Sequence, residues 1–309
     1  MSALAMAVST LAPHPVVQGE VRSVWSAQAL LGEGTLWSVR EQALYWVDIL
    51  GHRLHRFTPA HKVRDSWEFA EEITAVAERA SAPGLLVTLR RDLAFFDTDT
   101  GRLQRLHQPE PAHPGNRFND GKCDVRGRFW AGTMDMACRA TTGAWYRYAG
   151  GSQCARVQTG FSVTNGPTWS LDQRTLYVND TMQGRVMAYP FDPVTGTLGA
   201  GSIWLHMDPE DGLPDGMTAD AAGRLWIAHW GGSCVTCHDP DTAQELLRIS
   251  VPASQITNCT FGGKDLKTLF ISSACAGLSE LQLLRQPLAG ALFAVEVDSP
   301  GLPAHLFAG

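Results

Sequence analysis

The sequence predicts an all-β chain folded as a six-bladed β-propeller with four-stranded blades. Three observations carry this. A short apolar run recurs six times at a near-constant interval, turn-forming residues precede most copies, and helical periodicity with caps is nearly absent. The runs are Leu44-Tyr45-Trp46-Val47, Leu85-Leu86-Val87, Phe129-Trp130-Ala131, Leu176-Tyr177-Val178, Leu225-Trp226-Ile227 and Leu269-Phe270-Ile271, spaced by 41, 44, 47, 49 and 44 residues. Each is too brief for a helix and suits a buried strand. Six units of roughly 45 residues match the blade repeat of a propeller. A pair of β-sandwiches is the alternative, but it leaves the regular spacing unexplained.

The elements follow in order. Residues 21–26 precede the first repeat and are placed to close the ring by pairing with the last blade. A second β-like segment follows most of the runs, HRLHRF at 52–57 and GRVMAYPF at 184–191 among them. Turns rich in Gly, Asp or Lys come before four of them: VRGR (125–128), LDQRT (171–175), DAAGR (220–224) and GGKDLKT (262–268). The nearest approach to a helix is LSELQLLRQPL (278–288), where Pro287 imposes a stop. Residues 1–20 read as an N-terminal extension and residues 21–309 as a single propeller domain.

Composition narrows the function. Hydrophobic residues make up 44% and charged residues 18%, enough for a full core. The net charge of −6, with no basic block, argues against a nucleic-acid or anionic-membrane partner. No apolar run approaches the roughly 18 residues that span a bilayer. The apolar start, residues 1–12, has no Lys or Arg before Arg22, unlike a secretory leader. A cytoplasmic location is expected. The seven cysteines are an odd number and read as reduced thiols. Cys234-Val-Thr-Cys237-His238 matches the haem-attachment pattern, but within a β-blade it reads as coincidence.

The repeat also points to a site. Counting back ten or eleven residues from each apolar run gives Glu33, Thr74, Asn119, Asn165, Asp215 and Asn258. In a propeller, one turn position from each blade converges on the central channel. Carboxylates and amides gathered there repel and need partners, and a divalent cation answers both needs. Hard oxygen donors suit Ca²⁺, Mg²⁺ or Mn²⁺, with Zn²⁺ or Fe²⁺ also open. The plainer alternative is that Asn or Asp before Gly is an ordinary turn former. No nucleophile elbow, zinc-protease motif, phosphate loop or dinucleotide fingerprint is present, and the ten histidines show no ligand spacing.

Six segments, taken together, carry a family resemblance: LGEGTLW (31–37), RFNDGKCDVRGRFWAGTMD (117–135), TNGPTWS (164–170), YPFDPVTGTL (189–198), PDGMTADAAGRLWIAHWGG (214–232) and FGGKDLKTLF (261–270). They resemble the gluconolactonase/senescence-marker-protein (regucalcin) family from about residue 22 to the C-terminus. The resemblance implies one divalent cation in the channel and hydrolysis of a sugar-acid lactone such as glucono-, xylono- or arabinonolactone. It implies Glu33, Asn165 and Asp215 as metal ligands and Arg117 and Asn119 as substrate contacts. Three of the ring positions found by spacing are thus the implied ligands.

One position departs from the pattern. Vertebrate members carry a substrate-contacting glutamate where this chain has Ala137, and Asp135 is the nearest substitute. The bacterial aldonolactonases look closer, notably in LWIAHWGG (225–232) and LQLLRQPLAGALFAV (281–295). Asp215 is the expected general base as well as a ligand, with Asp120 and Asp180 as the other channel carboxylates. The rivals are a non-catalytic calcium-binding propeller and a related propeller hydrolase acting on phosphoesters or other lactones.

Overall fold

The six apolar runs are the second strands of six four-stranded antiparallel sheets in the computed structural model, which describes residues 14–309. The apolar start of the chain lies outside the described residues. In five blades four consecutive strands follow one another, beginning with the inner strands Gly32–Ser38, Ile73–Glu78, Asn116–Cys123, Thr164–Trp169 and Leu213–Ala219. The sixth blade is composite. Ile256–Gly262, Thr268–Ser273 and Leu292–Val297 are joined by the N-terminal strand Val17–Trp25 as its outer edge. Closure by pairing with the last blade is therefore as expected, but the strand begins at Val17, ahead of the boundary placed after residue 20.

The six inner strands touch in a closed ring around one axis. Apolar side chains fill the space between neighbouring sheets in six clusters, one per blade pair. Trp46, Trp130 and Trp226 are fully buried anchors of these clusters. Two of the polar turns act as rivets. Asp124 accepts from the backbone N–H of Arg126 (2.9 Å) and Arg128 (3.1 Å), and from Arg128 Nε (2.7 Å) and Trp130 Nε1 (2.8 Å). Asp220 repeats the pattern with Ala222, Arg224 and Trp226. The spacing Asp-x-x-Gly-Arg-x-Trp thus ties a turn to the core by satisfying every buried donor in it.

The expected helix is present as Glu280–Arg285. Ser279 and Gln282 form a capping box, and the helix stops before Pro287. Among the described residues no helix is long and apolar enough to cross a membrane.

Candidate functional site

Every inner strand has a register shift against its neighbour near its polar repeat residue. The extra residue of a bulge re-aims side chains, here toward the axis. Gly34 and Gly166 follow two of these residues with φ of +57° and +58°, a conformation that favours glycine. Gly216 follows Asp215, and a Cβ there would lie 2.2 Å from Asn258 Nδ2. The polar-residue-before-glycine signature is therefore the bulge itself.

Glu33, Arg117, Asn119, Asn165 and Asp215 all line one cavity of about 250 Å³ at what we call the upper end of the axis. Leu31, Met134, Val163, Leu213 and Trp230 form its apolar wall. The polar floor is a connected network. Arg117 donates through one terminal nitrogen to Asn119 Oδ1 (2.6 Å) and Phe118 O (2.8 Å). Asn119 Nδ2 donates to Asn165 Oδ1 and Thr164 O, both at 2.8 Å. Asn165 Nδ2 donates to Thr181 Oγ1 at 2.9 Å, which turns its Oδ1 the other way. Glu33 Oε2 accepts from Gly34 N (3.0 Å) and Asn258 Nδ2 (3.2 Å). Asp215 Oδ1 is buried and has no hydrogen-bond partner among the described residues.

The electrostatics match this geometry. Burial pushes the Glu33 carboxyl well above its usual value, and the negative fields of Asp215 and Asp120 push it further. Burial likewise raises Asp215; the Glu33 carboxyl beside it opposes the rise, and Asp120 adds to it. Burial lowers Arg117, against the attraction of Glu33 and Asp215. Two carboxyls that resist ionising together, beside a carboxylate oxygen with no donor, mark a place that wants positive charge.

Other expected positions fall elsewhere. Thr74 bonds Thr88 Oγ1 at 2.8 Å and takes no part in the cavity. Asp180 does not face the cavity either. It accepts from Ser162 and pairs with Arg185 at 3.0 Å, so it is a structural anion. Asp135 does not replace the glutamate absent at Ala137, because its oxygens accept from the N–H of Ala137, Arg139 and Ala140. Cys138 lines the cavity instead. Cys234 and Cys237, three apart on the strand Cys234–His238, point to opposite sheet faces. His238 bonds Ala243 O and Thr236 Oγ1, so the fold does not gather the two thiols and the imidazole into one ligand set.

Asn258, found by the spacing, and Asp120, which the spacing does not single out, both take part in the polar network of the channel. Asp120 accepts from Gly121 N and Gly166 N, both at 2.8 Å, and from Asn258 Nδ2 at 3.5 Å. Thr35 Oγ1 donates to Asn258 Oδ1 at 2.6 Å, fixing which way that amide faces.

A six-bladed propeller with one polar, acid-bearing chamber at the end of its axis is the class that fold and site define. Residues 31–275 match the SMP-30/gluconolactonase/LRE-like region, and the chain belongs to that family. It is 36% identical to the 6-deoxy-6-sulfogluconolactonase of Pseudomonas putida, over 91% of this chain and 96% of that protein. It is 34% identical to the pentonolactonase XacC of Haloferax volcanii, over 92% and 96%. Among solved structures, the calcium-binding protein regucalcin of Agrobacterium tumefaciens superposes with a TM-score of 0.89 at 28% identity, covering 93% of this chain and 97% of that one.

Proposed function

We propose that the chain hydrolyses a sugar-acid lactone to the free aldonic acid in the upper chamber, with one divalent cation held by Glu33, Asn165 and Asp215. The observation that carries this is the unpartnered, buried Asp215 Oδ1, set in one cavity with Glu33 and the amide of Asn165. The donor set fits a hard cation: two carboxyls and one amide oxygen supply the charge and the oxygen lone pairs it takes. Among the described residues no three His, Cys, Asp or Glu side chains cluster as a metal site, and this reading takes the amide oxygen of Asn165 as the third donor. Family membership, with relatives named as lactonases, makes hydrolysis of a lactone the reaction. When bound, the cation would supply Lewis acidity toward the lactone carbonyl.

The chain's own groups supply the rest. Arg117 keeps Nε and one terminal nitrogen without a partner among the described residues, so its fork is available to a carbonyl or hydroxyl oxygen. Asn119 has both N–H donors engaged, so it orients Arg117 and Asn165 and offers substrate one remaining lone pair. Asp215, raised by burial, is the group suited to take a proton from the attacking water. The apolar wall excludes bulk water and strengthens these interactions. Seven free thiols accord with a reducing cytoplasmic location.

The test is proton release from a panel of aldonolactones with chelator-stripped protein, before and after Ca²⁺, Mg²⁺, Mn²⁺ or Zn²⁺ is returned. Turnover that requires a returned cation is expected for at least one pentono- or hexonolactone. Cation binding without turnover of any lactone favours the non-catalytic calcium-binding propeller. Full activity after stripping removes the cation from the proposal.

A further inference from the structure

Blades four and five meet over a polar seam inside an otherwise apolar interface. On the strands Leu225–Trp230 and Cys234–His238, alternation turns His229, Thr236 and His238 toward blade four, while Ala228, Val235 and Cys237 pack toward blade six. All three polar residues are buried. His229 Nε2 lies 2.6 Å from Thr236 Oγ1, and His238 Nε2 lies 2.8 Å from the same oxygen. The far nitrogen of each ring meets a backbone carbonyl. His229 Nδ1 is 2.8 Å from Asp211 O, and His238 Nδ1 is 2.9 Å from Ala243 O.

This row of four contacts is one proton short when its members are neutral. Each contact needs one hydrogen between its two heavy atoms. Two neutral imidazoles bring one N–H each and the threonine one O–H, three in all, and the carbonyls bring none. One contact of the neutral row therefore sets lone pair against lone pair, in a buried place where an unmade hydrogen bond is costly. A fourth proton completes the row. Each Nδ1–H then donates to its carbonyl, one Nε2–H donates to Thr236 Oγ1, and the Thr236 O–H donates to the other Nε2. Burial lowers both rings from the usual imidazole value, so this proton binds on the acid side of neutrality. The Asp211 carboxylate favours it at both rings and Glu245 at His238, while Arg248 opposes it. Arg248 is itself paired with both carboxylates, at 2.8 Å and 2.7 Å, and its other neighbour, Cys234, is a thiol that burial pushes up to about 11. Asp239 is occupied within its own turn by Asp241 N and Thr242. From blade four the Trp204 indole stands 6.1 Å from His238, with Tyr177 against its other side.

We propose that His229, Thr236 and His238 form a one-proton brace between blade five and the wall of the upper chamber. One end of the row grips the turn at Asp211. That turn leads into Leu213, which pairs in register with Trp230, and both residues line the chamber. His229 directly precedes Trp230, and its own carbonyl accepts from Gly232 N at 3.1 Å. With the proton bound, all four contacts hold and the Asp211 turn is pinned. With the proton lost, the gap is shared along the row and the hold on Asp211 weakens.

Nitrogen chemical shifts of the rings test this directly. The full chain, labelled with ¹⁵N-histidine, is titrated from about pH 8 into the acid limit of folding, and the two rings are identified as the pair displaced by Thr236→Val. Both rings are expected to move with one shared midpoint and to take up one proton between them. Thr236→Val removes the hydroxyl at nearly constant shape and leaves two contacts for two protons. Proton affinity should then fall by at least about tenfold, which is one pH unit. Uptake of any number other than one shared proton, or a midpoint unmoved by Thr236→Val, overturns the site. The brace is read from amide hydrogen exchange over residues 208–214, as the wild-type rate relative to Thr236→Val at the same pH. Wild type should exchange several-fold more slowly below its midpoint and about equally above it, and a ratio constant with pH overturns the brace. Neither readout involves a lactone or an added cation, so the outcome is independent of the proposed hydrolysis. If Thr236→Val does not fold, Thr236→Ser identifies the two rings and the wild-type proton count decides.

Discussion

Glu33 and Asp215 share one buried corner of the channel, and both carboxyls are held well above their ordinary values by burial. A raised carboxyl binds its proton more tightly in the folded chain than in the unfolded one. Its contribution is therefore present below the unfolded value and is lost as pH rises through the folded value. Metal-free protein is expected to lose stability as pH climbs from about 4 toward neutrality. An added cation must displace those protons, so its stabilising effect should grow with pH. Thermal melts with chelator or Ca²⁺ across a pH series measure this, and a cation effect that stays flat would remove the pair as the binding group. Asp215→Asn keeps the size and one ligand oxygen but not the proton acceptor. At saturating metal its kcat should fall by about 10²–10⁴-fold. Retention of more than roughly a tenth of kcat would leave Asp215 as a ligand only, and the base role would pass to Glu33, the other carboxyl lining the upper chamber, or to a hydroxide held by the cation. Arg117→Ala should lower kcat/KM while elemental analysis finds the metal content unchanged, since a guanidinium does not ligate cations. Four of the five cavity residues are legible in the sequence as polar positions at a fixed distance from apolar runs, and Arg117 is legible only through the family motif. Asp120 is not, because spacing puts Asn119 and Asp120 equally near the axis. Only the bulge decides that Asn119 lines the upper chamber and Asp120 does not.

At the scale of the element, the inner-strand bulge positions the chemistry and leaves the most readable trace. Gly166 combines a φ of +58° with close neighbours. A Cβ there would meet Asn179 Nδ2 at 2.8 Å and Asp215 O at 3.0 Å. Asn179 donates to that same Asp215 carbonyl, so a methyl group at 166 presses on the strand that carries the base. Gly166→Ala should cost about 1–3 kcal/mol through left-handed strain and overpacking together. It should also weaken cation binding, since Asn165 and Asp215 flank the intrusion. Denaturant melts and calorimetric titration of the cation check both effects, and an unchanged cation affinity would separate the bulge from the site. The second strands were legible for a simpler reason. Buried on both faces, they are continuous apolar runs, whereas outer strands such as Val63–Glu68 are half exposed and carry little pattern.

At the scale of the whole molecule, the ring is fastened twice. The first fastening is the N-terminal strand Val17–Trp25 on Leu292–Val297, which makes blade six from both ends of the chain. The second is the C-terminal tail, which has no repeat signature and so escaped the spacing argument. It leaves blade six, bonds Gly301 N to Leu266 O at 2.8 Å, and runs beside inner-strand residues such as Trp37 and Trp169, away from the upper chamber. It then seats Phe307 between blades two and three. Phe307 is fully buried, stacked on Tyr148 at 5.6 Å, with its N–H on Glu78 O and its carbonyl accepting from Ala80 N. Removing that ring leaves a cavity between two blades that the tail otherwise holds together. Phe307→Ala is expected to cost about 3–5 kcal/mol, the usual range for a buried phenylalanine. In a chain of this size each kcal/mol corresponds to roughly 2–4 °C, so Tm should fall by about 6–20 °C. The upper chamber lies at the other end of the axis and shares no lining residue with this seat, so KM for the best lactone should not change below the new transition. A fall in Tm with unchanged KM identifies the tail as a fastening of the ring. A rise in KM at temperatures where the variant is fully folded would instead mean that the two ends of the channel communicate.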